Sequence, residues 1–178
     1  MTAGPLLTTP RFGLWQPQAG DLDSLVALVD HAETLRFLGP ARADRQNQFE
    51  RLLRNAGSWA LHGYGTFAVR PHGSDELIAS CGVFRSFRGF GKGLDDVPEA
   101  GWIVRHDHCG QGIALEVMEA VLAWSDARHR LTRIACMIEE GNLASERVAA
   151  RLGFVAYDSH RPEGGATLTL LERLRSFD

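Results

Sequence analysis

The chain has 178 residues, 44% hydrophobic and 23% charged, which allows one compact core and leaves no room for two full-sized domains. A formal charge of −3 and a pI near 6.2 supply no global basic field for phosphate backbones, which argues against a nucleic-acid partner. The three cysteines, Cys81, Cys109 and Cys136, are widely spaced and odd in number, which argues against a disulfide framework or a CxxC zinc knuckle and predicts reduced thiols.

The first ten residues have neither a basic nor an apolar leader region, and no apolar run reaches the ~20 residues of a bilayer span. A cytoplasmic protein with no membrane partner is expected. A strand is predicted over residues 12–15, then an amphipathic helix over 21–31 with Leu22, Leu25, Val26 and Val29 in helical spacing and Asp21 as N-cap. Residues 42–55 read as a surface helix whose thin apolar stripe is Phe49, Leu52 and Leu53, positioned to border a substrate cleft.

The period then changes to two. Residues 66–70 and 77–84 form a predicted hairpin across the Pro71 to Asp75 turn. The segment 85–98, with Gly89, Gly91 and Gly93, is predicted to be a mobile loop before a strand at 99–105. A helix to about residue 128 follows, with Ala114, Val117, Met118, Val121 and Leu122 on one face, then a strand at 133–138. A short helix over 142–152 stops at Gly153, suited to a left-handed C-terminal position. Strands at 154–158 and 167–171 complete a single α/β domain over 1–178, with no repeat or linker.

The most informative segment is Cys109-Gly110-Gln111-Gly112-Ile113-Ala114, which joins a strand to the start of the strongest helix. Exposed N–H groups, a positive dipole end and glycines without Cβ atoms can surround a pyrophosphate, although a tight structural turn would look the same. The GxGxxG dinucleotide fingerprint fails because its third glycine position is Leu115. The nucleotide P-loop fails around Gly91-Lys92, where Ser86 replaces the first glycine and Gly93 the Ser or Thr. The second segment, residues 142–154, has Asn142 as N-cap and Gly153 as stop.

Together these two segments resemble the GNAT superfamily of N-acetyltransferases, in particular its RimJ/RimL branch of ribosomal-protein acetyltransferases. The turn matches that family's Q/R-x-x-G-x-G/A motif, and Asn142, Ser145, Gly153 and Phe154 match its N-x-x-S…G-F pattern. Two departures stand out: Cys109 occupies the usual Gln or Arg position, and Ala149 the position of the Tyr that protonates the leaving thiolate in many relatives.

The resemblance implies a mixed central sheet of six or seven strands flanked by about four helices, with two splayed strands forming an acyl-CoA cleft. It implies acetyl-CoA as co-substrate, with its pyrophosphate on Cys109, Gly110, Gln111, Gly112, Ile113 and Ala114 and its pantetheine beside Trp102, Ile103, Val104 and Asn142. The Val104 N–H would meet the thioester oxygen. Glu99 would take the amine proton directly or through water, and Ser145 would hydrogen-bond the thiolate. Read locally, Glu99 is only a solvated strand-opening charge and Ser145 a first-turn residue bonded to backbone.

The acceptor implied is a protein N-terminal amine or, alternatively, a small amine such as an aminoglycoside or polyamine. A peptide acceptor predicts an open or acidic groove, and a cationic drug a pocket rich in carboxylates such as Asp95, Asp96 and Glu99. A catalytically silent acyl-CoA sensor is the reading from another class. His106-Asp107-His108-Cys109 has poor spacing for one ion, so no metal is expected, and His106 and His108 are placed at the rim of the pyrophosphate site. Trp15, Trp59, Trp102 and Trp124 are expected mainly in the core, with Trp59 and Phe37 also candidates to line the acceptor pocket. A monomer or homodimer is expected.

Overall fold

A computed structural model describes residues 4–177. The elements run β1 (Leu7–Thr8), β2 (Phe12–Trp15), α1 (Leu22–Val29), α2 (Ala32–Leu38), α3 (Arg45–His62), β3 (Thr66–Pro71), β4 (Ala79–Phe87) and β5 (Asp95–Val104). They continue through α4 (Ile113–His129), β6 (Arg133–Glu139), α5 (Leu143–Arg151), β7 (Val155–His160) and β8 (Leu168–Leu174). All eight strands form one sheet in the order β1-β2-β3-β4-β5-β6-β8-β7. Only β5 and β6 pair in parallel, as expected where a helix, α4, makes the crossover. The extra strand over the sequence expectation is the two-residue β1, and the extra helix is α2.

Strand alternation divides the apolar residues between two faces. Phe67, Val69, Cys81, Val83, Ala100, Ile134 and Cys136 pack with Val117, Met118 and Val121 of α4 and Ala149 and Leu152 of α5. On the other face Ala68 and Ile103 meet Leu28 and Val29 of α1 and Leu35 and Leu38 of α2. This second face is thinly covered, and a cleft lies there.

Two expectations are corrected. Helix α3 buries only Leu52 of its predicted stripe: Phe49 and Leu53 are exposed, while Gln48, Ser58 and Trp59 join Leu52 inside. Gln48 Nε2 donates to the Arg42 carbonyl at 2.6 Å, and other polar residues of α3 satisfy backbone groups near the start of β3. Asn55 brackets Thr66 with two hydrogen bonds, and Ser58 Oγ donates to the Tyr64 carbonyl at 2.8 Å. A face that reads as polar in sequence is inward because its partners are backbone.

Residues 85–98 are largely a hairpin instead of a loop, because β4 runs on to Phe87 and β5 begins at Asp95. The Asp95 carboxylate accepts from the N–H groups of Gly89 and Gly91 at 2.6 and 2.8 Å, and Gly89, Gly91 and Gly93 all have positive φ. Here the glycines specify a tight connection.

Candidate active site

The β5–β6 pairing is only two residues long, Glu99 opposite Ala135 and Ala100 opposite Cys136. Beyond it β5 stays on β4 and β6 stays on β8, so the sheet opens between Gly101–Val104 and residues 137–139. Which backbone groups face the opening follows from register. Arg105 N–H donates to the Ile78 carbonyl at 2.9 Å, and Val104 lies opposite Ala79. In an antiparallel pair hydrogen-bonded positions alternate, so Arg105, Ile103 and Gly101 bond toward β4 while Trp102 and Val104 turn their N–H and carbonyl groups to the opening. Such groups require a partner, which no neighbouring strand supplies among the described residues.

At the end of β5, residues His106–His108 make a 3-10 turn and Gly112 caps α4. Gly110 and Gly112 have φ of 79° and 73°. A Cβ on Gly110 would meet nothing within 4 Å and one on Gly112 only Arg11 Nη2 at 4.0 Å, so backbone conformation, not space, requires glycine here. No side chain caps α4, which leaves the first-turn amides of Ile113 and Ala114 without a side-chain partner. Cys109 is exposed, and its Sγ lies 3.7 Å from the Val104 carbonyl, linking the turn to the strand.

Sequence reasoning missed Arg11. It reaches across from the β1–β2 connection, donating through Nη2 to the Gln111 carbonyl at 3.1 Å and through Nε to Glu116 Oε2 at 2.6 Å. It brings a positive charge to the glycine turn from 100 residues away in sequence, a separation at which no local pattern could have signalled it.

Asn142 and Ser145 both line the cleft. Asn142 is the N-cap of α5, its Oδ1 accepting from Ser145 N–H at 3.2 Å. The local reading therefore accounts for the Asn142 side chain and the Ser145 backbone, but leaves the Ser145 hydroxyl without a partner among the described residues. Ala149 is completely buried between α5 and α4.

The cleft has a volume of about 740 Å³, within the usual range for small-molecule sites. Its lining includes Trp102, Ile103 and Met137 at the opened strands, Phe37, and a cluster of Arg42, Arg51, Arg54 and Arg88. Trp59 lies away from it, in the core, donating Nε1–H to the Thr66 carbonyl. Glu99 is 3% exposed. Arg88 holds both its carboxylate oxygens, through Nε at 2.9 Å and through Nη2. A carboxylate-rich pocket is absent: Asp95 caps the glycine hairpin, Asp96 pairs outward with Arg85, and Glu99 is matched by Arg88.

The four residues from His106 to Cys109 do not converge. His106 stacks on His31 with ring centroids 3.5 Å apart, whereas His108 and Arg105 both contact Asp107. Those contacts hold the Asp107 carboxyl well below the ordinary carboxylate range. Burial pushes the Cys81 thiol up to about 12 and raises Cys136 further; neither suits a nucleophile. No helix is long and apolar enough to cross a membrane among the described residues.

The sequence profile described as "Acetyltransferase (GNAT) domain" matches residues 11–155. A solved structure of a Bordetella pertussis protein assigned to the GnaT family of acetyltransferases is 34% identical, with a TM-score of 0.82 over 94% of this chain and 98% of its own. The ribosomal-protein-S5-alanine acetyltransferase of Vibrio fischeri shares the fold at 16% identity, TM-score 0.73, over 94% and 95% of the two chains. So does RimL, the ribosomal L7/L12 alpha-N-protein acetyltransferase solved with coenzyme A, at 17% identity, TM-score 0.73, over 96% of each chain. The opened parallel pair, the glycine turn and these matches agree, and the chain belongs to the GNAT acetyltransferase family.

Proposed function

We propose that the chain transfers the acetyl group of acetyl-CoA to a primary amine, with a protein or peptide N-terminal amine as the favoured acceptor. The observation that carries this reading is the opening of β5 from β6 after Ala100, with the backbone of Trp102 and Val104 turned into it and an uncapped helix start at Gly112. The Gly110 to Ala114 amides, with Arg11 beside them, suit a pyrophosphate. The unpaired backbone of Trp102 and Val104 suits the amides of a pantetheine arm, with Ile103 flanking it and Asn142 across the opening. Fold similarity to RimL supports the α-amine acceptor.

When bound, the co-substrate supplies an activated thioester carbonyl. The chain then has three tasks. The Val104 N–H offers a hydrogen bond to the carbonyl oxygen as charge develops there, an interaction that strengthens toward the transition state. The Ser145 hydroxyl donates to the departing sulfur, which takes the place of the acid that Ala149 cannot provide. Glu99, buried behind the cleft-lining Arg88 where β5 leaves β6, receives the amine proton through a water. Arg88 occupies one lone pair on each of its oxygens, and each oxygen has another. The C–N bond forms as the C–S bond breaks, and one proton leaves the amine.

The test is release of free thiol from acetyl-CoA in the presence of synthetic peptides with free or blocked N-termini. Thiol release that requires the free terminus supports the reading. Acetyl-CoA binding with no transfer to any amine would leave a silent acyl-CoA binder.

A further inference from the structure

One stretch of the cleft lining carries more positive charge than the described residues neutralise. Arg42 comes from the turn before α3, Arg51 and Arg54 lie one helical turn apart on α3, and Arg88 follows β4. All four line one cavity and act electrostatically on one another. Glu99 is the carboxylate among them, and Arg88 already matches it. Arg42, Arg51 and Arg54 make no ion pair among the described residues, and Arg42 Nη1 is buried with no hydrogen-bond partner. Beside them Ser86, 9% exposed, has a buried hydroxyl that is also unpartnered.

Burying a guanidinium without a counter-ion is costly. Burial first, and then the neighbouring arginines, bring Arg42 down to about 10 and Arg51 to about 9. A guanidinium does not shed its proton readily, so the strain is relieved by an anion. Its planar donors match a carboxylate or phosphate in paired hydrogen bonds. The other carboxylates on the cleft do not answer the cluster: Asp21 is bound by Arg70, and Glu139, at the end of β6, pairs with none of these arginines among the described residues.

We infer that the acceptor amine also carries an anionic group, a carboxylate or a phosphate, which is seated between Arg42, Arg51 and Arg88 while the amine faces the opening between β5 and β6. This rests on the acetyltransferase reading above, since it assigns the acceptor end of the same cleft. It excludes polyamines and aminoglycosides, whose charge the cluster repels. Two sources supply the chemistry: a peptide N-terminus followed by acidic residues, and a small amine bearing its own acid.

The test uses matched acceptors in the thiol-release assay: a peptide beginning Ser-Asp-Glu against Ser-Asn-Gln, β-alanine against its amide, phosphoethanolamine against ethanolamine, with spermidine as cationic comparison. The expected result is a kcat/KM advantage of about tenfold or more for the anionic member of at least one pair. An advantage confined to the peptide pair identifies an acidic N-terminus, and one confined to the others a small acid. Arg51→Gln and Arg42→Gln should abolish it through KM, and Arg54→Gln, at an exposed position, should reduce it without a folding defect.

Equal use of both members in every pair, or preference for neutral or cationic acceptors, overturns the inference. If no acceptor reacts, titration with inorganic phosphate decides, performed in a Gly112→Glu background so that the glycine turn does not compete. Phosphate binding that Arg51→Gln weakens tenfold supports the anion site, and binding that is absent or unaffected overturns it. Failure of the native protein to bind acetyl-CoA counts against the proposed function, not against the anion site, which the phosphate titration still reads.

Discussion

Arg88 clasps Glu99 in a two-pronged ion pair, Nε to one carboxylate oxygen at 2.9 Å and Nη2 to the other, with the Glu99 side chain 4% and the Arg88 side chain 31% exposed. Glu99 sits beside the last residue at which β5 still bonds β6, so this pair marks the point where the sheet opens. The cleft-lining partner is Arg88, and each carboxylate oxygen of Glu99 keeps a second lone pair.

The first prediction concerns that pair. Glu99→Gln keeps the shape and one hydrogen bond but removes the proton acceptor, and kcat should fall by about 100-fold at neutral pH with little change in the KM for acetyl-CoA. Arg88→Met should lower stability as well as raise the acceptor KM, because Arg88 lines the proposed anion seat. It strands a buried carboxylate, at a cost of about 2 kcal/mol after allowing for the partial exposure of Arg88, or roughly 4–8 °C in Tm. An unchanged kcat in Glu99→Gln would reduce Glu99 to the residue that positions Arg88.

The second concerns Ser145 and Ala149. Ser145→Ala should lower kcat at least tenfold while leaving the Kd for acetyl-CoA within about twofold, because the hydroxyl acts on the departing sulfur. Restoring the tyrosine common in relatives should not rescue it. Ala149 is fully buried against α4, so Ala149→Tyr overpacks the core and should cost about 3 kcal/mol or more in denaturant unfolding. A stable, faster Ala149→Tyr enzyme would show that the α4–α5 packing is looser than described.

The third is a pH dependence of stability. His129 lies between Tyr64 and Trp124, with ring centroids at 5.2 and 4.9 Å. Burial first, and then the charge of Arg128, lower its pKa. The unfolded chain therefore binds more protons than the folded one between the lowered value and about pH 6.5. The stabilisation is complete above about pH 6.5 and declines as pH falls through that window. Melting curves from about pH 7.5 to 5.5 should show a steeper loss of Tm in the native protein than in His129→Gln, and parallel curves would contradict this.

Much of the site was legible where one short segment sets the geometry. Gly110 and Gly112 announce a turn because only glycine takes positive φ without strain, and Gly153 stops α5 with a φ of 83° as its position suggests. Strand spacing gave the order around β5 and β6. What sequence could not give was assembly from distant parts. Arg11 becomes part of the glycine turn only through β1–β2 packing, and the arginine cluster gathers residues from a turn, a helix and a hairpin. The glycine-rich segment misled because composition cannot show that Asp95 would fold it back on itself, and α3 misled because its inward polar residues find backbone partners in the turn before it and near the start of β3, which spacing does not show.

The most direct measurement is calorimetric titration of acetyl-CoA into the native protein and into Gly112→Glu. That variant puts a carboxylate on a residue with φ of 73°, at the amides proposed for the pyrophosphate. Micromolar binding by the native protein, lost in Gly112→Glu while the variant keeps a cooperative melt, is the predicted result. Absence of binding by the native protein, or equal binding by the variant, would contradict the central claim that this turn and the opened strands hold acetyl-CoA.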